Sequence, residues 1–436
     1  MRVLWHGVGC DKKTGYGGQT SLFTQALKDA GHEVAINPML DQYSTGVDRN
    51  GIVNFACGIK NQMMGNDYIL AHAERWGPDC VLSMCDPFTC KPEVFDKLSW
   101  YPFVMVDSEP LLWENAEVMR ACKRPIAPTQ YAASQLRDAG FDPLYCPLAI
   151  DCGTFRPLDK IAAKEELGNL IGSVLTDKYV IVMNAANHSC PSRKNFAAAF
   201  KAYSIFLADS PDAVLYVHTD AAGTMYPGED LAAVERLYGI EGRVLYPPQY
   251  EYNCGMIGSQ YLAIMYNAAD VFLHTARGEG FGLPMLEAQA CGTPVVAPDF
   301  GNMAELNYNG IRVNGCARFM YHPGTEQVLV DPVHVAGALA ITRGTGSRPG
   351  MSDLARAARV SWAQEYDISN VTENYLLPML EEIEDAEKKD REAGGAGDRA
   401  GVQCDKADNP VADPCRVRGE RRGRRAAGVS GLAAAV

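Results

Sequence analysis

Two stretches of this chain open with the same grammar, and that repetition constrains the fold more than any single motif. Residues 2–36 read as strand RVLWH, glycine-rich loop GVGCDKKTGYGG, helix QTSLFTQALKDAG and strand HEVAI, with Gly31 closing the helix. From Tyr179 the pattern returns as strand YVIVMN, loop AANHSCPSRKN, helix FAAAFKAYSIFLAD and strand AVLYVH. Apolar strands alternating with amphipathic helices imply parallel sheets covered on both faces, and two such openings imply two doubly wound α/β domains. In such sheets the loops that follow the strands form the binding edge.

The Pro- and Gly-punctuated stretch PLAIDCGTFRPLDK, residues 147–160, reads as the boundary. It predicts one domain over 1–157, a second over 158–370 and a C-terminal helix over 371–390 that returns toward the first. From Arg391 the composition shifts to small residues and an arginine cluster, and 391–436 is expected to be a disordered tail. That tail holds nine Arg/Lys against six Asp/Glu, so the remainder carries a formal charge of −16. This balance argues against a phosphate-tracking surface, and no nucleic-acid partner is expected. No apolar run is long enough for a transmembrane segment and the start lacks a signal-peptide pattern, which gives a cytoplasmic expectation. The 14 cysteines include no C-x-x-C pair; Cys80, Cys85 and Cys90 are each separated by four residues and read as buried thiols. His6, His218 and His274 all end predicted strands, but without local ligand spacing they are not read as a metal site.

The stretch RGEGFGLPMLEAQACGTPVV, residues 277–296, carries the clearest chemistry. Pro284 suits the first helical position and Gly292 the end, so a helix is predicted over Pro284–Cys291, emerging from GEGFG. Glycines allow close backbone approach, and unpaired N–H groups with the helix dipole favour an anion such as a diphosphate. Glu287 lies one turn into that helix and Glu279 in the loop before it. Two carboxylates beside a phosphate seat suit the vicinal hydroxyls of a nucleotide sugar. The same acids also fit a solvated loop residue and a partner of the helix dipole.

EGFGLPMLEAQACGTPVVAPDFGNMAE resembles the signature of the retaining family 4 glycosyltransferases, within glycosyl transferases group 1, whose GT-B fold sets two Rossmann-like domains facing across a cleft. GYGGQT, PLAIDCGTFRP, SRKNFAAAFKAY and YNAADVFLHTA resemble further family segments in the same order, together covering roughly residues 1–385. The resemblance implies that Glu287 holds the donor ribose and that Glu279 is a catalytic residue beside the donor sugar. It implies that main-chain groups of Phe281, Gly282 and Leu283 receive the diphosphate and that Arg193 and Lys194 neutralise it as it leaves. The family commonly has its arginine several residues ahead of the lysine, whereas here Arg193 abuts Lys194. Gly15, Gly17 and Gly18 belong to the N-terminal loop that meets donor phosphates or acceptor. Asp107 is the acceptor-side candidate, with a turn or capping role as the alternative, and Asp86 follows another predicted strand. Tyr250 and Tyr252 are conceivable base-stacking residues.

The expectation is a retaining hexosyltransferase that takes its sugar from a nucleoside diphosphate donor (UDP-, GDP- or ADP-sugar) and passes it to an acceptor hydroxyl. The implied mechanism is front-face substitution, with no metal required for chemistry. A catalytically silent nucleotide-sugar binding scaffold and another GT-B chemistry, epimerisation or phosphorolysis, are the rival readings.

Overall fold

The structure is a computed structural model that describes residues 1–395 apart from 11, 13, 41–43, 49, 58–63, 225–226, 323 and 347–350. Its first half is an eight-stranded sheet in the order β3-β4-β2-β1-β5-β6-β7-β8. The strands are β1 (Arg2–Val8), β2 (Glu33–Met39), β3 (Gly46–Val47), β4 (Val53–Asn54), β5 (Cys80–Met84), β6 (Trp100–Phe103), β7 (Ile126–Ala127) and β8 (Leu144–Tyr145). All neighbours are parallel except β3 and β4. β1 is buried along nearly its whole length, which is why RVLWHGV reads as a continuous apolar run and not as an alternation.

The second half is a six-stranded parallel sheet in the order β11-β10-β9-β12-β13-β14. Here the strands are β9 (Tyr179–Asn184), β10 (Ala213–His218), β11 (Val244–Leu245), β12 (Val271–Leu273), β13 (Val295–Pro298) and β14 (Ile311–Val313). This is the 3-2-1-4-5-6 order of a doubly wound nucleotide-binding sheet, and its order reverses between β9 and β12. In the first sheet the reversal falls between β1 and β5. The loops after those four strands therefore line a crevice at each sheet's carboxyl edge, where doubly wound folds place their ligands.

A separate antiparallel hairpin, β15 (Gly315–His322) and β16 (Thr325–Val330), follows β14 and reaches across to the first half. Glu326 N–H donates to the Glu109 carbonyl at 2.8 Å and Glu109 N–H to the Glu326 carbonyl at 3.0 Å, an isolated antiparallel β-bridge that joins the hairpin to the first half. The chain crosses between halves twice, side by side, with Ile150 N–H donating to Tyr366 O at 2.9 Å and Ile368 N–H to Ile150 O at 2.9 Å. The last described element is the helix Leu377–Gly395, whose buried Glu387 accepts hydrogen bonds from Tyr101 and Ser99 of the first half, each 2.7 Å.

Three expectations need correction. Residues 391–395 are helical and not part of a disordered tail, because Arg391 donates to Glu387 O at 3.3 Å and to Asp79 at 3.2 Å and so holds the last turn; residues 396–436 lie outside the described residues. Gly15, Gly17 and Gly18 sit in the first turn of the helix Gly15–Asp29 and not in a loop. Thr14 caps that helix by accepting from Gly17 N–H at 3.1 Å, and the cap outweighs the poor helix propensity of three glycines. The helix expected over Pro284–Cys291 runs from Leu283 to Ala290, with Pro284 in its first turn.

Candidate active site at the facing sheet edges

The two crevices face each other closely. An ideal Cβ on Gly15 would lie 3.6 Å from Leu283 Cδ1, so the mouths of the Gly15–Asp29 and Leu283–Ala290 helices oppose one another. Gly282 caps the second helix at φ +117°, a conformation that a Cβ strongly disfavours. The side chain of Phe281 is buried and turns away to pack edge-on against Tyr366. In the opposing helix, a Cβ on Gly17 would strike the Lys12 carbonyl at 2.2 Å, whereas nothing lies within 4 Å of one on Gly18. Gly17 is therefore demanded by the fold itself. Packing gives no reason for glycine at 18.

The loop after β9 delivers the two cations. Asn195, in the left-handed region at φ +57°, caps the helix Phe196–Leu207 and turns Arg193 and Lys194 into the crevice. Lys194 Nζ is 2.5 Å from Glu279 Oε1, and Arg193 is 3.3 Å from Glu279 Oε2. Arg193 also donates to the Gly278 carbonyl, and its Nε lies 3.5 Å from Asp107 across the seam. Asp107 thus faces the cation pair. Buried His274, at the end of β12, places Nε2 3.1 Å from Glu279 Oε1, although off the hydrogen-bond direction.

These neighbours set the charges. Burial alone would raise the Glu279 carboxyl, but Lys194 and Arg193, helped by His274, outweigh it and hold the group well below the usual carboxylate range. Burial lowers Lys194 despite Glu279, and it also lowers His274. The cluster therefore holds a charged carboxylate between two cations that have little water to compete for them.

Glu287 projects from the same helix mouth and accepts a 2.7 Å hydrogen bond from Tyr266, whose hydroxyl in turn accepts from Asn184 at 2.8 Å. Burial pushes its carboxyl up to about 7, against the Tyr266 hydrogen bond, which favours the charged form. The folded chain therefore holds this proton more tightly than the unfolded one. The associated stability is present below the ordinary value of 4.5 and is lost as pH rises through about 7. Glu287→Gln keeps the neutral shape, so at pH 8 it should gain about 1–3 kcal/mol on the wild type relative to their difference at pH 4. Urea unfolding of both chains at the two pH values tests this, and a pH-independent difference would contradict it.

On the opposite wall, Tyr16 and Asp86 approach at 3.5 Å in a small cavity that Val8, Leu40 and Thr89 also line. Burial, with Asp107 and Cys85 nearby, raises Asp86 to about 7. Tyr252 packs edge-on against His218 rather than standing open, and Tyr250 is 72 % exposed. Sequence reasoning missed Asn302, which donates to the carbonyls of Val106 (2.7 Å), Glu279 (2.6 Å) and Gly280 (2.9 Å) and so stitches the two halves at the signature loop. It also missed Gln327 of the hairpin, which donates to Asp107 O at 3.2 Å. The FGNMAE segment was the available signal for Asn302; for Gln327 there was none.

A family model described as glycosyl transferases group 1 matches residues 249–333, the segment that holds the helix mouth and both glutamates. Over this segment the chain is similar to glycosyl transferases group 1, and its two facing doubly wound sheets have the GT-B fold. Over 269 residues it is 28 % identical to a D-inositol 3-phosphate glycosyltransferase of Segniliparus rotundus, an alignment covering 59 % of this chain and 54 % of the relative. The chain thus spans about half the length of the curated relatives it matches. Sucrose-phosphate synthase from Thermosynechococcus elongatus shares the fold, with a TM-score of 0.68 and 16 % identity over 88 % of this chain and 100 % of that one. An E. coli structure described as trehalose-6-phosphate bound with UDP-2-fluoro glucose has a TM-score of 0.60 and 14 % identity, covering 87 % and 99 % of the two chains. Among the described residues of this GT-B chain, no helix is long and apolar enough to cross a membrane.

Proposed function

We propose that this chain is a retaining glycosyltransferase that moves a hexose from a nucleoside diphosphate sugar to an acceptor hydroxyl. The observation that carries this reading is the convergence of Arg193, Lys194 and Glu279 on one helix mouth, with Glu287 one turn further in. A diphosphate at the mouth of Leu283–Ala290 would meet main-chain N–H groups at Phe281, Gly282 and Leu283 and the two cations together. The negative charge that grows on the leaving oxygen in the transition state is stabilised there by groups already in place. The cation pair fills the role that a divalent metal plays elsewhere in phosphate chemistry, so none is needed for this step.

Glu287, once ionised, accepts from the vicinal ribose hydroxyls, and its Tyr266–Asn184 support fixes its direction. Glu279 lies beside the transferred sugar. Acceptor enters from the first half, past Tyr16, Asp86 and Asp107. In front-face substitution the leaving phosphate oxygen takes the acceptor proton, so no separate protein base is required. The UDP-2-fluoro glucose held by the fold relative supports a nucleotide-sugar donor in this cleft.

A thermal-shift panel of UDP-, GDP- and ADP-sugars should raise the melting temperature for one base class, because a ligand that binds only the native state stabilises it. With that donor, free nucleoside diphosphate should form only when an acceptor sugar is supplied. Binding without release would favour the scaffold reading, and turnover without an acceptor would favour the other GT-B chemistry, epimerisation or phosphorolysis.

A further inference from the structure

The first sheet has its own point of reversal, between β1 and β5, and a soft-ligand cluster lies there outside the machinery just described. His6 is fully buried near the end of β1, opposite Ser83 of β5. Alternation along β5 puts Val81, Ser83 and Cys85 on one face, so Cys85 comes up beside the His6 ring. The single 3-10 turn Pro87–Thr89 then folds the chain back, closed by Cys90 N–H donating to Pro87 O at 2.9 Å. This return brings Cys90 Sγ to 3.8 Å from Cys85 Sγ. A ring nitrogen of His6 and the two sulfurs all lie within 4.8 Å of one another, and all three residues are buried.

The spacing suits a metal. With Zn–S bonds of about 2.3 Å, tetrahedral geometry puts two thiolates roughly 3.8 Å apart, and the imidazole nitrogen needs to stand about 3.5 Å from each sulfur. Asn37 fixes the ring at Nδ1, with its backbone carbonyl oxygen at 3.1 Å and its side-chain amide nitrogen at 2.9 Å, so that Nδ1 donates to the first in one tautomer and accepts from the second in the other. Asn37 is itself fixed, accepting from His72 Nδ1 at 2.7 Å and donating to Gly65 O at 3.1 Å. In the tautomer that donates to the Asn37 carbonyl, Nε2 keeps its lone pair, and this buried atom has no protein partner. An orphan nitrogen facing two thiols is costly in an apolar core and ordinary beside a metal.

We propose that His6, Cys85 and Cys90 bind one Zn2+, clipping the end of β1 to the turn after β5 directly behind Asp86. Two thiolates and a neutral imidazole cancel the dication, so the site can be buried without net charge. Binding releases the two thiol protons and leaves a fourth position for water. The ion is a fold element beneath the acceptor wall, separate from the transfer step.

The test is metal analysis of the purified full chain, kept reduced, loaded with Zn2+ and desalted. One zinc per chain is expected in the wild type and in a variant with exposed Cys190, Cys254 and Cys316 changed to serine. Cys90→Ser and His6→Ala should lose it, and Co2+ in the wild type should show tetrahedral d–d bands with thiolate charge transfer. A wild type that retains no zinc overturns the proposal whether or not the variants fold. So does zinc that stays in a folded Cys90→Ser or disappears from the exposed-thiol variant.

Discussion

Glu279→Ala should lower turnover by at least about 100-fold and destabilise the apo chain by about 3 kcal/mol. The stability loss follows from what the carboxylate holds: Lys194 at 2.5 Å, Arg193 at 3.3 Å and His274 at 3.1 Å, in a cluster where the Glu279 side chain is only 9 % exposed. Removing it leaves two adjacent cations, Lys194 already lowered by burial, with Asp107 as the remaining acid partner of Arg193. An anion that enters the crevice then replaces the missing charge. The melting-temperature rise produced by the nucleoside diphosphate should therefore be larger in Glu279→Ala than in the wild type, although catalysis is worse. Glu287→Ala should behave in the opposite way, with a smaller ligand shift and a raised KM, because its partner Tyr266 is neutral and the lost contact is to the donor. Equal ligand shifts in both variants, or full turnover in either, would contradict these assignments.

How much of this was readable beforehand depends on the range of the signal. The crevice after β12 was readable because its parts are contiguous: glycine-rich turn, proline in the first helical turn, acid one turn in. Arg193 and Lys194 were placed by the strand-loop-helix pattern around them, and their meeting with Glu279 needed only the neighbouring positions of β9 and β12. The first helix was misread at its start because GYGG has loop propensities, and a single threonine hydroxyl reversed the balance. Contacts across the seam left little trace. Asn302, Gln327 and Asp107 are far apart in sequence, and the hairpin β15–β16 has a largely exposed strand that reads as ordinary surface. The same limit hid the thiol cluster. Cys85 and Cys90 showed no short metal motif, His6 precedes them by some eighty positions, and only parallel pairing of β1 with β5 brings the three together.

Gly278→Ala is the second change expected to have a large effect, and it acts on the seam rather than on the chemistry. An ideal Cβ at this position would lie 1.8 Å from the Asp107 carbonyl oxygen, with Gln327 Nε2 at 3.1 Å. The first obstacle is backbone, so it cannot be relieved by rotating a side chain. Asn302 pins the adjoining segment to Val106 at 2.7 Å, and Gln327 holds Asp107 O at 3.2 Å. Either the halves separate or these hydrogen bonds break. Overpacking of this kind costs about 1–3 kcal/mol, and each buried polar group left unpaired adds roughly 1–3 more. Because Arg193 reaches both Gly278 O and Asp107, the displacement also spreads the groups that must close on the donor. Turnover should fall by at least tenfold, since misplacing catalytic groups by about 1 Å can cost 100-fold. Gly18→Ala is the control: nothing lies within 4 Å of its Cβ, so the helix should be unharmed or stabilised by about 0.5–1 kcal/mol. Chemical denaturation and steady-state kinetics of the two variants separate these effects. A Gly278→Ala chain with wild-type stability and turnover would show that the two halves do not meet at this glycine.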